Sequence, residues 1–406
     1  IAHRQLTAQR NKDWLAACAA VEYKDWQDIR QLVIFPVYKE GLDILRPSLR
    51  ALKDSRFPKK QILVVMAFEA RHQPSLDTAA ALEKEFRGVF GGYLTTFHPD
   101  GIPGELRLKG ANATWAARRA QEMVLREGIP LENVIVSCFD ADTCVDREYF
   151  GCLTYHFLTH DKPHQASYQP IPVYNNNIWE APSLARIIEI SASFCQMIES
   201  MRLEKFVTFS SHSMSFKTLV EIDYWPVDMI SDDSVVYWKA FLHFNGDYHV
   251  VPLYTTVSMD AAYGTNFFKT IGVQYRQKRR WAWGVENFPF VAMRFVGNRD
   301  IPLPVKLRRS FHLLESHVTW AVWAFIIGVI APLPILLGGV FFSQLPIGVN
   351  LPRITGLLLN FTLLTSLVWI FLSRTIVPPR PRHVSRFTHL VMFLEWIFVP
   401  GVILVL

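Results

Sequence analysis

The sequence predicts an α/β protein built on a mainly parallel sheet and followed by C-terminal transmembrane helices. Short apolar runs alternate with helical patterns over residues 31–296, and charged residues are spread through that region, whereas the apolar excess lies near the C-terminus. Alternating strand and helix patterns are typical of βαβ units. Because 406 residues exceed one average domain, we expect a globular domain and at least one further region.

The predicted elements of the globular domain follow from these patterns. The strand candidates cover residues 31–37, 61–68 and 133–139, and the helices between them cover residues 42–53, 76–86 and 111–126. Residues 1–30 place apolar positions at helical spacing among charges, which predicts an amphipathic N-terminal helix that lies on a membrane or packs on the domain. In open parallel sheets, ligands bind beyond the carboxyl ends of the strands.

Three apolar stretches, residues 318–342, 354–376 and 389–406, are each long enough for a transmembrane helix, which takes roughly 20 residues. Basic residues precede the first stretch and follow the second, which places the globular domain in the cytoplasm. We therefore expect a multi-pass protein of the cell (inner) membrane, with three spans in residues 317–406 and an interfacial helix at 297–316. Glu395 lies within the third stretch and should have a partner or face a lumen.

Composition excludes several other classes of protein. The five cysteines are odd in number and lack CxxC spacing, which favours reduced thiols over a disulfide or metal role. The net charge of +6 is modest, and no basic stripe interleaves with aromatic residues over most of the globular domain, so nucleic acid is not a predicted partner.

The chain begins with Ile and its last stretch has no polar flank, so we expect further sequence at both ends.

An acidic pair, Asp140-Ala141-Asp142, follows directly after an apolar strand candidate. Two carboxylates with one spacer at a strand end can hold one Mg²⁺ or Mn²⁺ against phosphate oxygens, because hard cations prefer oxygen ligands. Acidic pairs are also common in ordinary loops. The preceding strand is what favours the metal interpretation.

Two further charged segments lie towards the C-terminus. Asp232-Asp233 opens a helical pattern, where acidic residues cap a helix and where a carboxylate can also accept a proton from a sugar hydroxyl. The segment QKRRW at residues 277–281 has a helical pattern too. Arginine can grip a diphosphate, and an indole face can stack on a sugar ring; a basic helix on anionic lipid is the other interpretation.

In this order the three features resemble the family 2 glycosyltransferases, most closely the membrane-bound branch of cellulose and hyaluronan synthases. The resemblance covers about residues 31–283. The segment VIFPVYKE at 33–40 looks like the family's opening strand and nucleotide loop, and KGANA at 109–113 is similar to its K-x-x-x-A stretch. The resemblance implies a GT-A-type, Rossmann-like glycosyltransferase domain over residues 31–296, an inverting reaction, a nucleotide-sugar donor, and Mg²⁺ or Mn²⁺ as cofactor.

The resemblance also implies a role for each site residue. Asp233, with Asp232 beside it, is the expected catalytic base. Asp142 and Asp140 are the expected metal ligands. The expected donor-binding residues are Pro36, Tyr38, Glu40, Glu69, Lys109 and Asp140. The residues expected to bind the acceptor and the diphosphate are Gln277, Arg280 and Trp281.

The sequence departs from the family pattern at two places. The family usually has an Asp after its second strand to bind the nucleotide base, whereas this chain has Glu69; we still favour a UDP-sugar over a GDP-sugar. The usual T-E-D motif appears as Ser231-Asp232-Asp233. Ser211-His212-Ser213 is similar to a small-residue loop near the acceptor. His98 and the other scattered histidines lack paired ligand spacing, which favours structural or surface roles.

Three functions remain open from the sequence. The first is a processive synthase that extends a polysaccharide at the cytoplasmic face of the lipid bilayer. The second is a non-processive transferase that adds one sugar to a lipid-linked acceptor. The third is a non-catalytic scaffold subunit in a synthesis complex, and a membrane-protein partner is compatible with all three.

Overall fold

The computed structural model describes residues 2–10, 12–22, 24–326, 330 and 333–398. The chain forms two compact units. The first unit contains Ile1–Val173, Ser193–Asp260 and Glu286–Ser310, and the second contains Tyr174–Ala192, Ala261–Val285 and Phe311–Leu406.

The described elements follow one another as short strands and helices along most of the chain. The strands are β1 (Arg30–Val37), β2 (Ile62–Glu69), β3 (Gly92–His98), β4 (Val134–Cys138), β5 (Cys144–Val145), β6 (Ala166–Tyr174), β7 (Ser213–Ser215) and β8 (His249–Met259). The helices are α1 (Ala2–Arg10), α2 (Trp14–Ala19), α3 (Leu42–Asp54), α4 (Ser75–Phe86), α5 (Lys109–Arg126), α6 (Tyr149–Thr159), α7 (Ser183–Glu199), α8 (Phe216–Glu221), α9 (Asp232–His243), α10 (Phe267–Ala282), α11 (Asn287–Gly297), α12 (Leu303–Phe325), α13 (Leu333–Leu337), α14 (Gly339–Gln344), α15 (Pro346–Ile376) and α16 (Phe387–Leu394).

The described strands form one sheet in the order β3-β2-β1-β4-β7-β6-β8-β5. β1 runs parallel to β2 and β4, and β2 runs parallel to β3. β7 is antiparallel to β4 and β6, and β5 is antiparallel to β8. The sheet is therefore mixed, and the prediction of a mainly parallel sheet is wrong.

The error arose because the trusted strand candidates were continuous apolar runs, which are typical of parallel strands. Every residue of β2 is buried, as expected for a parallel strand covered on both faces. β8 instead alternates between buried and partly exposed positions, a pattern of antiparallel strands with one less covered face. The strand candidates at 31–37, 61–68 and 133–139 correspond to β1, β2 and β4, and the three predicted helices correspond to α3, α4 and α5.

The N-terminal segment contains two short helices rather than one. The buried indole of Trp14 in α2 lies 5.4 Å from the ring of Tyr155 in α6, and Cys18 donates from Sγ to the carbonyl of Gly151 at 3.4 Å. Between the two interpretations offered by the sequence, these contacts favour packing of α2 on the domain. The boundaries of the predicted domains stay predictions.

The transmembrane prediction fails on the described residues: none of the helices they form is both long and apolar enough to cross a bilayer. The first predicted span is divided among α12, α13 and α14, and the first half of α12 carries Lys306, Arg308 and Arg309. The predicted multi-pass membrane location is wrong for the same reason. Parts of the predicted spans, residues 327–329, 331–332 and 399–406, lie outside the described residues.

A buried ion pair within the second unit joins distant parts of the sequence. Glu395 follows α16, and its two carboxylate oxygens accept hydrogen bonds from the guanidinium of Arg186 in α7 at 3.0 and 2.6 Å. Ser183 donates to the same carboxylate at 2.6 Å. Both charged side chains are less than a tenth exposed. Glu395 therefore has the partner that a buried charge requires.

Candidate functional site

Lys109, the first residue of α5, joins two acidic segments in the first unit. Its Nζ lies 2.6 Å from Asp140 Oδ1 and 3.1 and 3.3 Å from the two carboxylate oxygens of Asp233. These acids are 31 and 124 positions away in the sequence. Burial by itself would lower the pKa of Lys109, but Asp140 and Asp233 outweigh it and hold that pKa well above its usual value. Lys109 is therefore a charged ammonium shared by both carboxylates.

A glycine allows the starts of α5 and α9 to approach each other. A Cβ at Gly110 would lie 2.3 Å from the carbonyl oxygen of Pro226 and 2.9 Å from Cβ of Asp232. Neither distance is compatible with a side chain, so only glycine fits this position without a shift of the backbone. Gly110 thus lets Lys109 reach Asp233.

Asp140 is also held from the antiparallel half of the sheet. Ser210 Oγ donates to Asp140 Oδ2 at 2.5 Å, so each oxygen of this carboxylate has a donor. The next residue, Ser211, has a φ of 63°, a conformation that is uncommon for residues other than glycine. Its hydroxyl lies 2.9 Å from Oγ1 of Thr143. The loop before β7 is thereby fixed against the turn after β4.

Asp142 has different surroundings from Asp140. Its Oδ2 accepts a hydrogen bond from the backbone N–H of Asp260 at 2.9 Å. Burial and the nearby negative charge of Asp140 raise the pKa of Asp142 to about 7. The two carboxylates therefore repel each other, and a cation bound to both would remove that repulsion.

A hard divalent cation fits this pair only with help from a ligand. Asp140 and Asp142 supply carboxylate oxygens, the donor type that Mg²⁺ and Mn²⁺ prefer. Over the residues that the structure describes, no group of three or more His, Cys, Asp or Glu side chains is placed to hold a metal. The remaining positions would have to be filled by phosphate oxygens and water, as is usual for Mg²⁺ at nucleotide sites.

Asp233 lies in the first turn of α9, where the helix dipole favours a negative charge. Thr208 donates to its backbone carbonyl at 2.6 Å, and the buried ring of His212 places Nδ1 3.7 Å from Asp233 Oδ1. His212 Nε2 accepts from the indole N–H of Trp225 at 3.2 Å. Burial lowers the pKa of His212. A neutral imidazole and a lysine ammonium therefore lie beside this carboxylate.

Asp232 is buried, unlike Asp233, which is about a quarter exposed. The preceding residue, Ser231, donates from both its backbone N–H and its hydroxyl to Glu286 Oε1 at 2.7 Å. Glu286 immediately precedes α11, so this contact ties the start of α9 to that helix. The structure thus places Asp233, rather than Asp232, beside Lys109.

The expected donor-binding residues of β1 lie at its carboxyl end. Pro36 is the penultimate residue of β1, and Tyr38 follows it with about half of its side chain exposed. Glu40 accepts hydrogen bonds from the backbone N–H groups of Tyr38 and Lys39 at 2.8 and 3.1 Å. Its carboxylate therefore stabilises the loop in which it lies. Glu69 ends β2 and is buried.

The residues expected to bind the acceptor and diphosphate belong to α10 in the second unit. Lys278 Nζ lies 3.6 Å from the ring centroid of Trp281, and Tyr174 lies 6.1 Å from the same ring. Arg280 is exposed and forms no ion pair with a described residue. Gln277 is half-buried, and its Oε1 accepts no hydrogen bond from the described part of the chain.

Several residues near these positions were not singled out from the sequence. In the second unit, Glu189 is completely buried, accepts a hydrogen bond from Gln274 Nε2 at 2.8 Å and lies 3.9 Å from Lys278. Burial raises the pKa of Glu189, and Lys278 opposes that effect. In the first unit, Ser210 was not named from the sequence, and Gly110 was named only as part of the KGANA stretch. The position of Gly110 directly after Lys109 was the one sequence feature that could have indicated its importance. No sequence feature singles out Ser210.

Comparison with known families gives one match that covers more than half of the chain. A family model described as glycosyl transferase family group 2 matches residues 135–403. No curated protein matches the sequence. The family match does not distinguish the cellulose and hyaluronan synthase branch from others.

Several solved structures resemble the chain at low sequence identity. A mannosyltransferase from Pyrobaculum calidifontis, in complex with GDP-Man and Mn²⁺, is 14% identical over 98% of both chains, with a TM-score of 0.46. S. aureus TarS 1–349 in complex with UDP-GlcNAc is 15% identical over 78% of this chain and 82% of that chain, with a TM-score of 0.47. The same protein in complex with UDP is 12% identical over 92% and 90%, with a TM-score of 0.47.

Proposed function

The chain belongs to glycosyl transferase family group 2 and is a glycosyltransferase, and from this premise we propose that it transfers a sugar from a nucleoside-diphosphate donor with inversion at the anomeric carbon. The observation that carries the proposal is the contact of Lys109 with both Asp140 and Asp233. A carboxylate, which can accept a proton, and a cation, which can attract phosphate, are thereby adjacent in one unit. This is the combination that glycosyl transfer from a diphosphate requires.

In the proposed reaction, Asp233 takes the proton of the acceptor hydroxyl as its oxygen attacks C1 of the sugar. The bond between C1 and the phosphate oxygen breaks, and its electron pair leaves with the nucleoside diphosphate. Lys109 compensates negative charge on that leaving group, because its ammonium is already held in place by two carboxylates. Asp140 and Asp142 would hold Mg²⁺ or Mn²⁺, which would supply further charge compensation at the diphosphate.

We also propose a growing polysaccharide as the acceptor and a UDP-sugar as the donor. Both rest on the resemblance to polysaccharide synthases. The roles of Gln277, Arg280 and Trp281 in binding the acceptor and the diphosphate stay predictions of the same kind. Transfer of a single sugar to a lipid-linked acceptor is distinguished by product length, since it gives a discrete product instead of high-mass material.

The proposal is tested with a donor panel. The full chain is incubated with UDP- and GDP-sugars, and release of nucleoside diphosphate is measured with Mg²⁺, with Mn²⁺ and with a chelator. We expect release from one class of donor that stops on chelation and returns when the metal is added. Asp142→Asn should need more metal for half-maximal release. Metal-independent release that Asp142→Asn leaves unchanged would overturn the metal assignment.

A further inference from the structure

A buried histidine bridges two carboxylates beside the expected nucleotide site. His98 ends β3, and the parallel register pairs it with Glu69 at the end of β2. Its Nδ1 lies 3.4 Å from Glu69 Oε2, and its Nε2 lies 2.8 Å from Glu105 Oε2. A neutral imidazole has only one N–H, so it can donate to only one of these acids. Both contacts are hydrogen bonds only when the ring is protonated.

The surroundings of His98 favour that protonated form. Burial by itself lowers the pKa of His98, but Glu69 and Glu105 raise it, and the net shift is upwards. The charged groups around the ring are Glu69 with Arg71 after β2, and Glu105 before α5. From α5, the indole of Trp115 meets the ring edge to face at 6.0 Å, with Arg119 over that indole.

The two oxygens of Glu69 are used unequally. Oε2 contacts His98 and also lies 3.3 Å from Nε of Arg71. Oε1 has no hydrogen-bond partner among the residues that the structure describes. The guanidinium of Arg71 lies over the ring of the half-exposed Tyr38 at 4.7 Å. One carboxylate oxygen, a cation and an aromatic ring thus lie together at the carboxyl ends of β1 and β2, where open α/β sheets bind ligands.

We propose that His98 is a positioning residue: it holds Oε2 of Glu69 on the β3 side and leaves Oε1 to accept a hydrogen bond from the nucleobase of the donor. The proposal rests on the function proposed above, because it needs a nucleoside-diphosphate donor, and it adds the residue that orients Glu69. Uracil and guanine present ring N–H donors on their Watson–Crick edges. Cytosine and adenine present ring nitrogens that are acceptors there, so only their exocyclic amino groups could donate to Oε1.

The test measures binding without catalysis. UDP, GDP, CDP and ADP are titrated into the full chain by isothermal titration calorimetry, for the wild type and for Glu69→Gln. We expect the wild type to bind UDP or GDP at least about tenfold more tightly than CDP and ADP, because cytosine and adenine cannot place a ring N–H donor against Oε1. Glu69→Gln should reduce this preference, since an amide can also donate to cytosine or adenine.

The role of His98 is tested by pH. The proton that lets His98 hold Glu69 is lost as pH rises through the raised pKa, so wild-type affinity for the preferred nucleotide should fall between pH 6 and pH 9. His98→Gln keeps one donor but cannot titrate; it should bind about tenfold more weakly at pH 6 and show no such fall. Glu105→Gln removes the carboxylate that contacts Nε2 of His98 and does not itself touch Glu69. This variant should also bind the preferred nucleotide more weakly.

A matched control and the folding of each variant complete the test. Asp100→Asn removes an acid from the loop after β3 that pairs with Arg107 at the surface, and it should leave all four affinities unchanged. Circular dichroism identifies any variant that fails to fold. The inference is overturned, and the proposed function is not, if Glu69→Gln leaves the order of the four affinities unchanged. The same holds if His98→Gln weakens binding of all four nucleotides equally and retains the pH dependence. If no nucleotide binds the wild type, the proposed function fails together with it.

Discussion

The turn after β4 and the first turn of α9 each carry two aspartates, and in each turn the two side chains have different surroundings. Asp140 and Asp233 share the ammonium of Lys109. Asp142 instead accepts a backbone N–H, and Asp232 is buried beside Gly110. Neighbouring acids that look equivalent in the sequence therefore have different contacts, and one member of each pair can be changed without the other.

The strongest test of this difference is Asp233→Asn. An amide cannot take a proton from the acceptor, so we expect nucleoside-diphosphate release to fall about 10³-fold. Asp223→Asn is the matched control, because the side chain of Asp223 is 80% exposed and pairs with Arg118 at the surface. Steady-state kinetics with the same donor compare the two variants. Similar rates for Asp233→Asn and Asp223→Asn would mean that Asp233 is not the base.

Lys109→Gln separates the shared ammonium from the acids it joins. Without the positive charge two carboxylates remain close together, so we expect the free energy of unfolding to fall by about 2 kcal/mol and turnover to fall about 10²-fold. Lys162→Gln removes a lysine from an exposed ion pair with Asp247 and should change unfolding by less than about 0.5 kcal/mol. Denaturant unfolding and turnover assays check both. A Lys109→Gln variant as active as the Lys162→Gln control would contradict the proposed site.

Gly110→Ala tests the close approach that brings Lys109 to Asp233. The new Cβ would meet Pro226 and Asp232 well inside contact distance, so we expect a loss of about 2 kcal/mol in unfolding free energy. Gly88→Ala is the control, since a Cβ there would meet nothing within 4 Å. Equal stabilities of the two variants, measured by denaturant unfolding, would show that the backbone relaxes without cost.

The smallest expected effect is a change of thermal stability with pH that depends on Asp142. Since the folded protein holds the pKa of Asp142 at about 7, above its usual value near 4, the folded state binds the proton more tightly than the unfolded state between these pH values. With a chelator present, thermal stability should therefore fall by a few degrees as pH rises from 4 to 7. Asp142→Asn should flatten this part of the profile. If Asp142→Asn leaves the dependence of thermal stability on pH unchanged, the raised pKa of Asp142 is excluded.

The sequence predicted the parallel half of the fold because its signals are local. β1, β2 and β4 are continuous apolar runs, and Asp140 and Asp142 follow β4 directly. What could not be predicted depends on contacts between distant residues. Ser210 donates to Asp140, which lies 70 positions away in the sequence. The residues of β7 and β8 do not by themselves indicate where these strands join the sheet.

The same distinction applies to the candidate site. Lys109 was expected to bind the donor and Asp233 to be the catalytic base. Their direct contact depends on Gly110, whose importance appears only when α5 and α9 are seen together. His98 was expected to be structural or exposed. Its two carboxylate partners come from β2 and from the loop before α5, and only the parallel register of β2 and β3 shows that Glu69 lies beside it.

The Arg186–Glu395 pair sets a practical limit on shortening this protein. A fragment that stops after α15 would lack Glu395 and leave the buried guanidinium of Arg186 without its counterion, which costs about 3–5 kcal/mol. Such a fragment would be prone to aggregation although the residues around Lys109 are intact. Expression work that needs a shorter chain should retain residues up to 398 or replace Arg186 with an apolar side chain such as Met.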